Sequence, residues 1–175
     1  ENALCVCHQA ICDPAWPNHI KEHIILSSLE AIVNSSACKP HQVASQTWNR
    51  FIAEWGLAQL STSLALPPTV REDLYLNVHA HFLLPWLRFV ALMASSGAWW
   101  MSELVSPTFT SLLLESTYLS LQSKQHLLVH LECWKQLLAC GYIGDTHKDK
   151  LKSLVVSAYQ DCSLEKMQSD DEATE

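Results

Sequence analysis

The chain has 175 residues, 49% hydrophobic and only 17% charged, which is enough apolar material for one sizeable core and excludes a disordered, solvating segment. Its four glycines argue against a turn-rich β sandwich or barrel and cannot build a glycine-rich phosphate cradle. A net charge of −7, with no run of Lys or Arg, argues against nucleic-acid binding, because an acidic surface repels the phosphate backbone.

The sequence opens at Glu1 inside an apolar helical pattern and shows no signal peptide, so it reads as a processed chain or an excerpt of a longer protein. Residues 2–12 form a helix end, stopped by Asp13-Pro14 and Pro17. Asn18 is the expected N-cap of the next helix. In that helix Ile20, Ile24, Ile25, Leu26, Leu29, Ile32 and Val33 cover more than one face, which predicts burial on more than one side. Ser35, Ser36 and Pro40 mark a loop. A third helix begins near His41, with Trp48, Phe51, Ile52 and Trp55 on one face at i, i+3, i+4 and i+7. Gly56 is expected to weaken or bend it before Pro67-Pro68 ends the run. Thr69 and Glu72 form a capping-box pattern for a helix carrying Leu74, Val78 and Phe82.

Pro85 has no N–H and its ring clashes with the carbonyl of His81, so a kink or a restart is predicted there. "WLRFVALMA" then runs to Ser95-Ser96-Gly97, and "AWWMSELV" is a short helical piece. Ser106 before Pro107 is a helix start, Ser as N-cap and Pro at the first helical position. In "SKQHLLVHLECWKQLLACG" the residues Leu127, Leu131, Trp134 and Leu138 make a stripe, and Gly141 is the expected left-handed terminator. Asp145-Thr146 offers a cap for a last helix to about Asp161, and residues 162–175 read as an acidic flexible tail.

The expected fold is therefore all-α, a single helical domain over 1–161. Helical hairpins fall at about 17–65, 67–121 and 123–161, units of roughly 40–55 residues. They would stack as a short α-solenoid or as an irregular bundle of about 7–8 helices. "LLVHLECWKQLLACG" followed by "DTHKDKLKSLVVSAYQ" resembles an armadillo- or HEAT-type helix pair: two apolar helices joined by a short Gly/Asp turn. The Leu-, Cys-, His- and Trp-rich texture is also similar to that of large nuclear scaffold proteins of recombination, of the meiosis inhibitor protein 1 type. The first resemblance implies a stacked helical surface for protein contacts, and the second a nuclear setting in DNA recombination or meiosis.

Seven cysteines, an odd number mostly set in apolar helical patterns, read as buried free thiols of an intracellular protein, nuclear or cytoplasmic, rather than as a disulfide framework. In "CVCHQAIC" the residues Cys5, His8 and Cys12 share a helix face and form a candidate metal site in a compact bundle. The competing reading is a buried helix stripe in which Cys acts as a small apolar residue, and it is preferred because the C-x-x-C spacing is absent. His79 and His81 diverge by about 200° on a helix and cannot share a metal. The pairs His19/His23 and His126/His130 have chelating spacing but no HExxH carboxylate, and read as solvated or rim histidines.

No G-x-S-x-G, P-loop or G-x-G-x-x-G is present, so neither an enzyme nor a bound cofactor is expected. Residues 82–101 are long enough to span a membrane. Arg88 near their centre would cost about 2.5–3.5 kcal/mol, and Ser95, Ser96 and Gly97 break the run, so a buried helix plus loop is preferred. Adjacent Trp99 and Trp100 point about 100° apart on a helix and are the candidate partner-binding anchors. Ser169, before three acidic residues, is a candidate phosphorylation site. The expected function is a non-enzymatic scaffold segment of a larger helical-repeat protein that binds other proteins.

Overall fold

The structure is a computed structural model and describes residues 9, 11–34, 43–67, 69–71 and 80–156. The chain divides into two compact units, Glu1–Tyr142 and Ile143–Glu175. The described residues of both are helices and turns, with no strand among them.

In the first unit the helices are α1 (Asn18–Asn34), α2 (Val43–Leu64), α3 (Ala80–Ser95), the single turn α4 (Met101–Leu104), α5 (Pro107–Leu119) and α6 (Lys124–Ala139). A 3₁₀ turn, Ser120–Gln122, joins α5 to α6. In the second unit residues 145–156 are helical, and the first amides bond back to Gly144, so the cap residue is Gly144 rather than Asp145. Before α1, the Asp13 carboxylate accepts from the Ala15 amide at 2.9 Å, a local turn that competes with helix continuation. Pro17 rather than Asn18 supplies the first capping carbonyl of α1, to the amides of Ile20 and Lys21.

Helix α3 is the hub. It packs along α6 and α1, and also against α2. Phe82, Leu83, Trp86, Leu87, Phe89, Val90, Ala91, Met93 and Ala94 are all buried, while His81, Arg88, Leu92 and Ser95 form one narrow exposed strip. Each large apolar side chain sealed in this way contributes about 1.5–3 kcal/mol. Pro85 lies inside α3 without a restart, because tertiary packing on several sides outweighs one missing backbone bond. The apolar run 82–101 is cut at Gly97, whose φ of +70° closes the helix. The Gly97 and Ala98 amides bond back to Ala94 and Met93, a Schellman motif. No described helix is long and apolar enough to cross a membrane.

Helix α2 runs unbroken through Gly56 to Leu64. A methyl group at 56 would overlap the Trp86 indole, so the glycine lets α3's largest side chain lie directly on the α2 backbone. Trp48, Ile52, Gly56, Leu60 and Leu64, four residues apart, form α2's buried line. Of the expected stripe, Phe51 and Trp55 are half-buried at its edge. Phe51 stacks on Trp48 and Trp55 meets Phe82 edge-on, each at 5.5 Å. Helix α1 is buried along one line, Ile25, Leu29 and Ile32, with Ile20, Ile24, Leu26 and Val33 half-buried beside it. One sealed face with greasy flanks replaces the expected burial on more than one side.

Two sequence signals are realised closely. The Ser106 hydroxyl accepts from the Phe109 amide at 3.2 Å with Pro107 opening α5. Gly141, φ +75°, ends α6 in a second Schellman motif, with Tyr142 and Gly141 amides donating to Leu137 and Leu138. The α6 stripe is rotated from its expected phase. Val129, His130, Cys133, Trp134 and Leu137 are buried, whereas Leu127, Leu131 and Leu138 are half-buried.

Candidate functional site

The two adjacent tryptophans have different fates. They lie in the turn between the Gly97 reversal and α4, where the chain changes direction. Trp100 is 1% exposed and belongs to the core. Trp99 is 60% exposed. Neighbouring side chains that diverge can rarely share one core, and here the inner position went to Trp100. Of the two candidate anchors, Trp100 is therefore corrected to a core residue, and Trp99 is the one that lies at the surface.

Trp99 is not a bare surface residue. The Arg50 guanidinium from α2 sits over its ring, 5.5 Å from the centroid. Arg50 is held from both sides: its Nε donates to Glu54 Oε1 at 2.8 Å, one helical turn on, and its Nη2 meets Glu103 Oε2 of α4 at 2.9 Å. The Glu54 bond first, then the nearby carboxylate charges, raises the Arg50 pKa above its ordinary value despite some desolvation. Arg50, Glu54, Thr47, Phe51 and Trp99 line a cavity of about 360 Å³. A second cavity of about 150 Å³ shares Arg50 and Glu54 and continues along Leu57, Trp100, Glu103 and Leu104. The result is an apolar groove crossed by a charged triad and bordered by an open indole.

A second polar cluster lies between α5 and α6 and is sealed. His130 is fully buried, so the reading of this histidine as solvated is overturned. Its Nδ1 donates to the His126 carbonyl at 2.8 Å, since a carbonyl can only accept. Its Nε2 therefore accepts from the Ser116 hydroxyl at 2.7 Å. Desolvation, ahead of the opposing backbone bond, pushes the His130 pKa down to about 4 and keeps the ring neutral. Beside it, the Trp134 indole donates to Thr117 Oγ1 at 2.9 Å, and that hydroxyl donates to the Leu113 carbonyl. Ser116 and Thr117 are both 0% exposed. A serine–histidine pair shut away from substrate is a packing device and not a nucleophile.

Of the proposed metal ligands, Cys5 and His8 lie outside the described residues, and Cys12 is an exposed free thiol. No group of three metal-binding side chains occurs among the described residues. His19 and His23 are exposed and His126 is half-buried; His79 lies outside the described residues, as do Ser169 and the tail from 157 onward. The expectation of buried cysteines holds for Cys133, whose thiol is pushed up to about 12, mainly by burial, and is inert. It fails for Cys12 and Cys140, which are exposed at helix ends.

Sequence reasoning missed Arg50, Glu54 and Glu103. The Arg50–Glu54 spacing of four residues was a legible signal, but Glu103 joins only through the fold. No protein-family model, curated protein or solved structure matches the chain.

Proposed function

We propose that this chain is a non-enzymatic, protein-binding segment of a larger helical-repeat scaffold, with Trp99 as its exposed anchor. The observation that carries the reading is an indole 60% exposed at the edge of an apolar groove. Large aromatic surface left open at a concave site is what partner hot spots are made of. The packing order supports stacked helix layers. α1, α3 and α6 follow one another side by side, α2 lies beside α5, and the cross-packings are α2 on α3 and α5 on α6. Two layers of alternate helices is the arrangement of armadillo- and HEAT-type solenoids, where the exposed edges carry contacts. The partners are other proteins, with no nucleic acid and no membrane. The setting is intracellular, and the textural likeness to recombination scaffolds favours the nucleus and meiosis.

The test places a photo-crosslinking amino acid at 99 in the intact parent protein, with position 152 on an exposed helical face as the control. A partner captured by an aromatic crosslinker at 99 and not at 152, and missing from a separate affinity pull-down of the Trp99→Ala protein, supports the reading. Equal capture at both positions, or full partner retention in Trp99→Ala, overturns it.

A further inference from the structure

We infer that the Trp99 groove takes a basic segment of its partner: an arginine or lysine flanked by apolar side chains. The inference rests on the protein-binding reading above and adds the chemistry of what binds. The chain already demonstrates half of the fit. Arg50 shows that a guanidinium is accommodated on the Trp99 ring between two carboxylates, at 5.5 Å from the ring and 2.8 and 2.9 Å from the acids.

The pairing leaves capacity over. Arg50 engages Oε1 of Glu54 and Oε2 of Glu103, and the other oxygen of each carboxylate has no partner among the described residues. An ionised carboxylate offers about four acceptor positions, so both acids can take a second cation without releasing the first. The charge points the same way. Two carboxylates against one guanidinium leave the groove negative, and the acids, 55% and 56% exposed, stand further out than Arg50 at 37%. An acidic partner would meet those carboxylates first and find the Arg50 cation engaged by both of them. Around the charges the walls are apolar: Trp99 and Phe51 on one side of the Arg50–Glu54 pair, Leu57 and Leu104 on the other. A long basic side chain suits such a place, its methylene stem on the indole and its head among the acids.

The test uses the ¹⁵N-labelled chain and two blocked heptapeptides, Gly-Ser-Leu-Arg-Leu-Ser-Gly and the same sequence with Glu for Arg. The readout is the Trp99 indole N–H resonance, assigned by its loss in Trp99→Phe. The arginine peptide is expected to shift this resonance saturably, the glutamate peptide to leave it unmoved. Glu54→Gln and Glu103→Gln should each weaken arginine-peptide binding about fivefold, as should a rise in salt from low to high ionic strength. Both carboxylates are exposed, so the variants should otherwise keep the parent spectrum. No saturable shift with the arginine peptide at millimolar concentration, equal binding of the glutamate peptide, or binding indifferent to both glutamine variants overturns the inference. If crosslinking at 99 captures a partner through a neutral or acidic segment, this inference falls and the protein-binding reading stands. If position 99 captures no more than the control, the protein-binding reading falls first.

Discussion

Trp134 and Trp99 each sit against a polar neighbour, and the two neighbourhoods work in opposite ways. At Trp134 the indole, Thr117, Ser116 and His130 are sealed between α5 and α6, and each has a hydrogen-bond partner inside the seam. There, every bond is short-range and the cost of losing one is the desolvation of whatever remains. At Trp99 the polar groups are charged, largely exposed and joined by pairs that water and salt can replace. The seam therefore specifies how α5 meets α6, whereas the water-exposed contacts at Trp99 should contribute little to folding. Location relative to water, not residue type, separates the two.

The sharpest way to break that comparison is to truncate both members of the adjacent tryptophan pair. Trp100→Ala should destabilise the protein by about 3–5 kcal/mol, because a fully buried indole leaves a cavity. Trp99→Ala should change stability by less than about 1 kcal/mol, the scale of an exposed cation–π contact. Equal losses in urea unfolding would mean that the outer indole is structural after all.

The seam has its own pH signature. His130 has a folded pKa near 4 against an ordinary 6.5, so the unfolded chain binds the extra proton between those values. Stability is complete above about pH 6.5, falls as pH drops toward 4, and loses on the order of 3 kcal/mol by the end of that window. Chemical unfolding of wild type and His130→Gln across that range checks it: the variant should lack this part of the slope.

Smaller in effect, Gly56→Ala should cost about 1–3 kcal/mol despite alanine's better helix propensity, since its methyl overlaps Trp86. A neutral or stabilising result in thermal unfolding would show that α3 can move off α2. Smallest of all, Thr117→Val removes the acceptor of the Trp134 N–H and should cost about 1–2 kcal/mol, whereas Arg50→Gln, which loses only solvent-exposed pairs, should cost less than Thr117→Val. Reversal of that order would undo the contrast between seam and surface.

Much of the local structure was legible in the sequence. Ser106-Pro107 and Gly141 marked a helix start and a helix stop because capping depends only on a few neighbouring backbone groups. Gly97 was similarly readable as a helix end. Pro85 and Gly56 show the converse, because both lie inside helices that continue through them. Each carries a local penalty, and each is overruled by packing against another helix, which no window of sequence contains. The shift of the α6 stripe toward His130 and Cys133 has the same origin: hydrophobicity alone ranks leucine above histidine, but Ser116 supplies the bond that makes a neutral imidazole a core residue. Of the candidate site, the tryptophan pair was visible and its partition was not.

By itself the sequence determined that this chain is helical, where several of its helices start and stop, and that its acidic, glycine-poor composition favours packed helices over a phosphate-binding loop. Those properties follow from backbone capping, side-chain periodicity and net charge, which act over a few residues or over the whole chain at once. Tertiary structure alone decided that α3 is the hub, that His130 is buried and neutral, that Trp100 turns inward, and that Arg50 and Glu103 meet at Trp99. Each of these depends on which residues from distant segments exclude water from one another, and that is a property of the packed interface rather than of either strip of sequence forming it.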